Sequence, residues 1–125
     1  MSDKTTCACA GAPKLIFACS GAADVGAIAD QAARKLTKDG AGRMFCMAGI
    51  GGRLPGILAT TQSAARILAI DGCPLNCVKN GLEQAGFKQY EHLQLADLGM
   101  EKGKTPPTLD AITKVATAGA AKLAV

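Results

Sequence analysis

The sequence predicts an α/β domain built on four parallel strands, and three observations carry that expectation. Short apolar runs alternate with amphipathic stretches from residue 14 to residue 123, the pattern of strands joined by crossover helices. The composition is 49% hydrophobic but only 3% aromatic, so the core must be Ala, Leu, Ile and Val, which suits helices packed tightly on a sheet. Cys19, Cys46 and Cys73 recur with 26 residues between neighbours, the length of one strand–helix unit, and each closes an apolar run. No further similarity links the units, so the recurrence is geometric and not a sequence repeat.

The elements follow in order. Strand 1 is expected at 14–19. Helix 1 covers 24–39, where Val25, Ile28, Ala29, Ala32 and Leu36 keep helical periodicity. Asp24 is the expected N-cap and Gly40 the C-terminal stop. Strand 2 is expected at 42–46, followed by a glycine-rich loop, Gly49–Arg53. Helix 2 covers 55–64, with Pro55 in a tolerated first-turn position. Strand 3 is 66–71. Pro74 opens helix 3, whose stripe is Val78, Leu82 and Ala85 and whose end is Gly86. Strand 4 is 89–95, with Leu93 and Leu95 on one face. A loop at 99–107 leads to helix 4 at 108–123, with Leu109, Ile112, Ala116 and Leu123 facing inward. Right-handed crossovers prune the topologies. The expected fold is a compact three-layer, Rossmann-like or flavodoxin-like domain with a four-stranded parallel sheet in the order 2-1-3-4.

The chain of 125 residues is expected to be one domain at 14–125, long enough for a real core, preceded by a flexible arm at 1–13 that carries Cys7 and Cys9 as a C-x-C pair. The net charge of +4 is mild, its lysines are scattered and aromatic platforms are scarce, which argues against nucleic-acid binding. No apolar run reaches the ~20 residues that span a bilayer, and the N-terminus lacks the apolar stretch of a signal peptide. The expected location is cytoplasmic. Thiols there stay mostly reduced, so six cysteines point to metal or redox chemistry before structural disulfides.

With the order 2-1-3, the ends of strands 1, 2 and 3 are neighbours about 5 Å apart. Cys19, Cys46 and Cys73 then converge at one rim, where open α/β sheets bind ligands. Cys77 follows Cys73 as C-x3-C in the first turn of helix 3 and faces the same rim. Four thiolates at ~2.3 Å suit tetrahedral Zn²⁺ in a closed structural site. An iron–sulfur cluster is the less favoured occupant of such a set. Singly, each cysteine reads as a small buried hydrophobe; four at equivalent junctions read as a site. Ser20 and Gly72 flank the thiols as loop groups. Asp71 is placed to hydrogen-bond loop amides or support a ligand, although an Asx-type turn is the simpler role.

The stretches Phe17-Ala18-Cys19-Ser20-Gly21-Ala22-Ala23-Asp24-Val25-Gly26, Met44-Phe45-Cys46-Met47-Ala48-Gly49 and Ala69-Ile70-Asp71-Gly72-Cys73-Pro74-Leu75-Asn76-Cys77 resemble the DGC domain family, zinc-binding by description and named for its Asp-Gly-Cys motif. The resemblance covers roughly residues 14–104, with all four cysteines in place. It implies that Cys19, Cys46, Cys73 and Cys77 are the metal ligands; it implies no activity.

Other chemistry is weaker. Cys46 and Arg53 are one residue too far apart for the C-x5-R loop of cysteine phosphatases. The 49–53 loop lacks the third glycine of a dinucleotide fingerprint, since position 54 is Leu, and its glycines serve a tight turn. The only histidine, His92, reads as structural. Lys102 and Lys104 read as solvated. The leading expectation is therefore a binding, sensing or delivery protein holding one Zn²⁺, with Cys7 and Cys9 as a mobile dithiol that hands metal or sulfur to the fixed site or exchanges with a partner thiol, and with a protein partner for metal or sulfur transfer. The alternative is an enzyme of thiol or persulfide redox chemistry, with Cys77 or Cys73 as a low-pKa nucleophile at a helix N-terminus.

Overall fold

A computed structural model describes residues 12–124; the Cys7–Cys9 pair lies outside them. The elements are β1 (Lys14–Ala18), α1 (Asp24–Lys38), β2 (Arg43–Met44), α2 (Met47–Gly51), α3 (Pro55–Gln62), β3 (Arg66–Asp71), α4 (Cys77–Gln84), β4 (Glu91–Gln94), a 3-10 turn (Leu95–Leu98) and α5 (Leu109–Ala124). The four strands form one sheet in the order β2-β1-β3-β4, and every pairing is parallel.

Side-chain alternation along the strands divides the core into two layers. Ile16, Ala18, Leu68 and Ile70 point to one face, under α1 and α5, with Ile28, Leu36, Val115 and Leu123. Leu15, Phe17, Ile67 and Ala69 point to the other, with Ile50, Val78 and Leu82. Each fully buried Leu or Ile contributes about 1.5–3 kcal/mol. Helices therefore cover both faces of the sheet, as the alternating pattern implies.

Four local expectations change. Asp24 is not the N-cap of α1: Ala23 is, with no side-chain cap, and Asp24 is the first helical residue. Its carboxylate instead accepts the amides of Gly103 at 2.9 Å and Thr105 at 3.0 Å, tying the 101–105 loop to the start of α1. Residues 47–51 are helical and not loop; Gly49 lets Ile57 approach, since a Cβ there would lie 2.7 Å from Ile57 Cγ1. The fourth crossover helix starts at Cys77 and not Pro74, because Asn76 takes the left-handed conformation (φ 54°) and sets the entry direction. Leu109 is not inward but 75% exposed, while Val115 and Gly119 complete the buried stripe of α5.

Candidate functional site: the cysteine rim

Three parallel strands end side by side, and a cysteine follows each. Cys19 comes one residue after β1, Cys46 two after β2 and Cys73 two after β3. The ladder carries on at β1, where Cys19 N–H donates to Ile70 O at 3.1 Å and Phe45 N–H to Ile16 O at 2.8 Å. Cys77 opens α4. All four are free thiols, Cys46 and Cys77 exposed, Cys19 and Cys73 half-buried.

Cys19, Cys46 and Cys77 line one cleft of about 890 Å³. Its other walls include Met44, Phe45 and Met47 and the Ser20–Asp30–Arg34 group. Cys73 does not line this cleft; it packs beside it against the core under α1. Among the described residues, no three Cys, His, Asp or Glu side chains stand close enough together to grip an ion as they are placed. The Cys19 sulfur already has one polar partner, the Gly72 amide, which donates to it at 3.4 Å. Amide hydrogen bonds of this kind stabilise thiolate charge.

The turn that carries Cys73 and Cys77 is fastened from three sides. Asp71, only 1% exposed, reaches over the turn. It accepts Val78 N–H at 2.8 Å and Lys79 N–H at 3.1 Å, so it caps the first turn of α4. His92 Nε2 stands 2.8 Å from the same carboxylate, and the ring of Tyr90 meets that of His92 edge-on. Gln94 at the end of β4 donates to Cys73 O at 3.0 Å and to Asn76 Oδ1 at 2.6 Å. Asn80 donates to Leu75 O at 3.1 Å. Behind this group, Tyr90 OH donates to Glu83; burial and that carboxylate push the phenol up to about 12.

Across the cleft, Ser20 sits in the left-handed region at φ 51°. Its hydroxyl donates to Asp30 at 2.8 Å, and Arg34 Nε donates to the other Asp30 oxygen at 2.7 Å. Burial raises the Asp30 carboxyl, but the bonds from Arg34 and Ser20 outweigh it and hold the group below its ordinary value. Arg34 is 62% exposed, so this ion pair is worth little by itself.

Sequence reasoning placed the four thiols at one rim and marked Asp71 and Ser20 beside them. It did not find Gln94, Asn76 or Asp30, nor the engagement of His92, because their partners lie on other elements. Met47 follows Cys46 and Met44 precedes it by two residues, and both line the cleft.

Among the described residues, no helix is long and apolar enough to cross a membrane. No solved structure matches the chain. A relative in Pseudomonas aeruginosa, the anaerobic and virulence modulator AnvM, is 39% identical over 88 residues, which cover 70% of this chain and 67% of the relative. The family model for the DGC domain matches residues 15–118, the span that includes all four rim cysteines, and the chain belongs to the DGC domain family.

Proposed function

We propose that this chain is a metal-binding protein that holds one Zn²⁺ through Cys19, Cys46, Cys73 and Cys77, in a binding, sensing or delivery role without turnover. The observation that supports it is the shared cleft of Cys19, Cys46 and Cys77 at the carboxyl edge of the sheet, with Cys73 four residues before Cys77 in the same turn. The donor chemistry fits: thiolates are the preferred ligands of structural zinc. The one histidine is engaged by Asp71, and the cleft's one carboxylate, Asp30, is engaged by Ser20 and Arg34, so sulfur is what the rim offers. Bound zinc would supply a cross-link between three strand–helix junctions. The protein's part is to present the thiols, to donate the Gly72 amide to Cys19, and to hold the Cys73–Cys77 turn through Asp71 and Gln94. The name of the Pseudomonas relative, a modulator, accords with a regulatory role and specifies no reaction.

The test is zinc content and thermal stability of protein purified without oxygen, compared across Cys19→Ser, Cys46→Ser, Cys73→Ser and Cys77→Ser. The expected result is about one zinc in the parent chain, with each substitution lowering zinc content and melting temperature together. Unchanged zinc in any variant removes that cysteine from the ligand set. A metal-free parent with one or two fast-reacting thiols favours thiol redox chemistry instead.

A further inference from the structure

We propose that Cys46 and Cys77 form a regulatory disulfide when the protein meets a hydroperoxide, and that this oxidation makes the rim give up its metal. The disulfide stands on the placement of the two thiols alone. The release of metal rests on the reading of the rim as a zinc site.

Exposure and packing single out this pair. Of the four rim thiols, Cys46 and Cys77 are the exposed ones, and both line the same cleft. Cysteine oxidation follows exposure and thiolate character, so an oxidant arriving from solvent meets these two first. They also stand on facing elements. Cys46 leads directly into α2, and Cys77 opens α4. Met47, the residue after Cys46, rests its methyl against Gly81, where a Cβ would collide with it. Gly81 lies one turn along α4 from Cys77, on the same face of that helix. The contact of α2 with α4 therefore sets the chain beside Cys46 against the face of α4 that carries Cys77. A disulfide needs Cα atoms roughly 4.4–6.8 Å apart. The element that can yield to reach that geometry is α2, five residues long with glycine at positions 49 and 51.

The other rim thiols are placed differently. Cys73 is half-buried and packs with the layer under α1, and Gln94 holds its turn through Cys73 O and Asn76. Cys19 is half-buried too, and its sulfur accepts the Gly72 amide. The chemistry balances with hydrogen peroxide as the oxidant. One thiolate attacks the O–O bond, giving a sulfenic acid and, with a proton, one water. The second thiolate then attacks the sulfenic sulfur and expels its oxygen as a second water. The two thiols lose two electrons and two protons in all, and the peroxide takes them. Neither sulfur of the disulfide keeps its thiolate charge. The proposed zinc set then falls from four thiolates to two, and the ion leaves as Zn²⁺. A dithiol reductant reverses the step.

The test treats the full chain, reduced under anaerobic conditions, with hydrogen peroxide in zinc-loaded and metal-free form. Free thiols are then blocked, peptide mass spectrometry maps the disulfides, and a zinc indicator follows the ion. Cys46–Cys77 should be the main disulfide in both forms. Zinc should appear in step with it, and dithiothreitol should return both thiols and zinc binding. In the metal-free form, Cys46→Ser and Cys77→Ser should each lose this disulfide, whereas Cys7→Ser combined with Cys9→Ser should keep it. Circular dichroism confirms that each variant is folded. A map dominated by any other pair, or thiols that pass to sulfinic acid without pairing, overturns the proposal and spares the zinc reading. The Cys46–Cys77 disulfide formed with zinc still bound overturns the switch. A parent chain that binds no zinc yet forms this disulfide upholds the pairing and overturns the zinc reading, and the release of metal with it.

Discussion

Asp71 joins more of the rim than any other side chain. It is buried at the end of β3 yet accepts two amides of α4 and faces His92 of β4. A buried carboxylate needs such partners, because desolvation without them costs several kcal/mol. Asp71→Ala leaves the amides of Val78 and Lys79 without their acceptor and should cost about 2–3 kcal/mol, read as a lowered denaturant midpoint at unchanged slope. The Asp-Gly-Cys motif marked this residue in the sequence, but its partners are 7, 8 and 21 residues away, beyond what a turn rule can see. Asp24 shows the same limit from the other side. Local preference makes it an N-cap; the fold uses its carboxylate for the 101–105 loop. Hydrogen bonds from the amides of Gly103 first and then Thr105 hold its pKa below the ordinary 3.8. A depressed folded pKa means that the loop's tie is fully present above pH 3.8 and is lost as pH falls through the lower folded value. Protection of the Gly103 and Thr105 amides from exchange, measured against their intrinsic rates, should be full above that pH and fall below it. Asp24→Ala should remove the protection at every pH; slow exchange in that variant would show that the loop is held by other contacts.

At the scale of elements, the glycine of the Asp-Gly-Cys motif has a packing reason. A Cβ at Gly72 would stand 2.6 Å from the carbonyl oxygen of Val25 and 3.0 Å from Gly26 N. The end of β3 and the first turn of α1 are in backbone contact there, so neither can yield by rotating a side chain. Gly72→Ala should destabilise the fold by about 1–3 kcal/mol and disturb the Gly72 amide that donates to Cys19. A melting temperature equal to that of the parent would contradict this close approach. Strand–helix alternation was plain in the sequence because the apolar stripes of β1, α1, β3 and α4 are strong. The helix α2 was not, since Met47-Ala48-Gly49-Ile50-Gly51 has two glycines that oppose helix formation. It is held by tertiary contact: Ile50 is fully buried, and Ile57 packs over Gly49. Leu109 fails for a related reason. Periodicity tells which residues share a stripe, but not where the facing surface ends.

Across the whole molecule, the sheet order follows from chain connectivity. Helices cover both faces of the sheet, and with right-handed crossovers that requires the order to reverse, so β2 and β3 lie on either side of β1. That reversal brings three cysteines, spaced far apart in sequence, to one edge. Topology was therefore legible from alternation and crossover handedness, and so was the common rim. The side on which each thiol lies was not, because Cys73 and Cys77 flank a turn whose path is set by the left-handed Asn76 and by Gln94 of β4. In the proposed four-cysteine site a metal would tie β1, β2 and β3 to α4, so its removal should act on the whole fold. Stripping zinc with a chelator should lower the melting temperature, and excess zinc should restore it; identical melting with and without metal would mean that binding is not coupled to folding.

The most direct measurement is X-ray absorption at the zinc edge of the anaerobically purified chain. About one zinc per chain is expected, in a shell of sulfur alone, four scatterers at ~2.3 Å. A shell that contains nitrogen or oxygen ligands, or protein that retains no zinc, would contradict it.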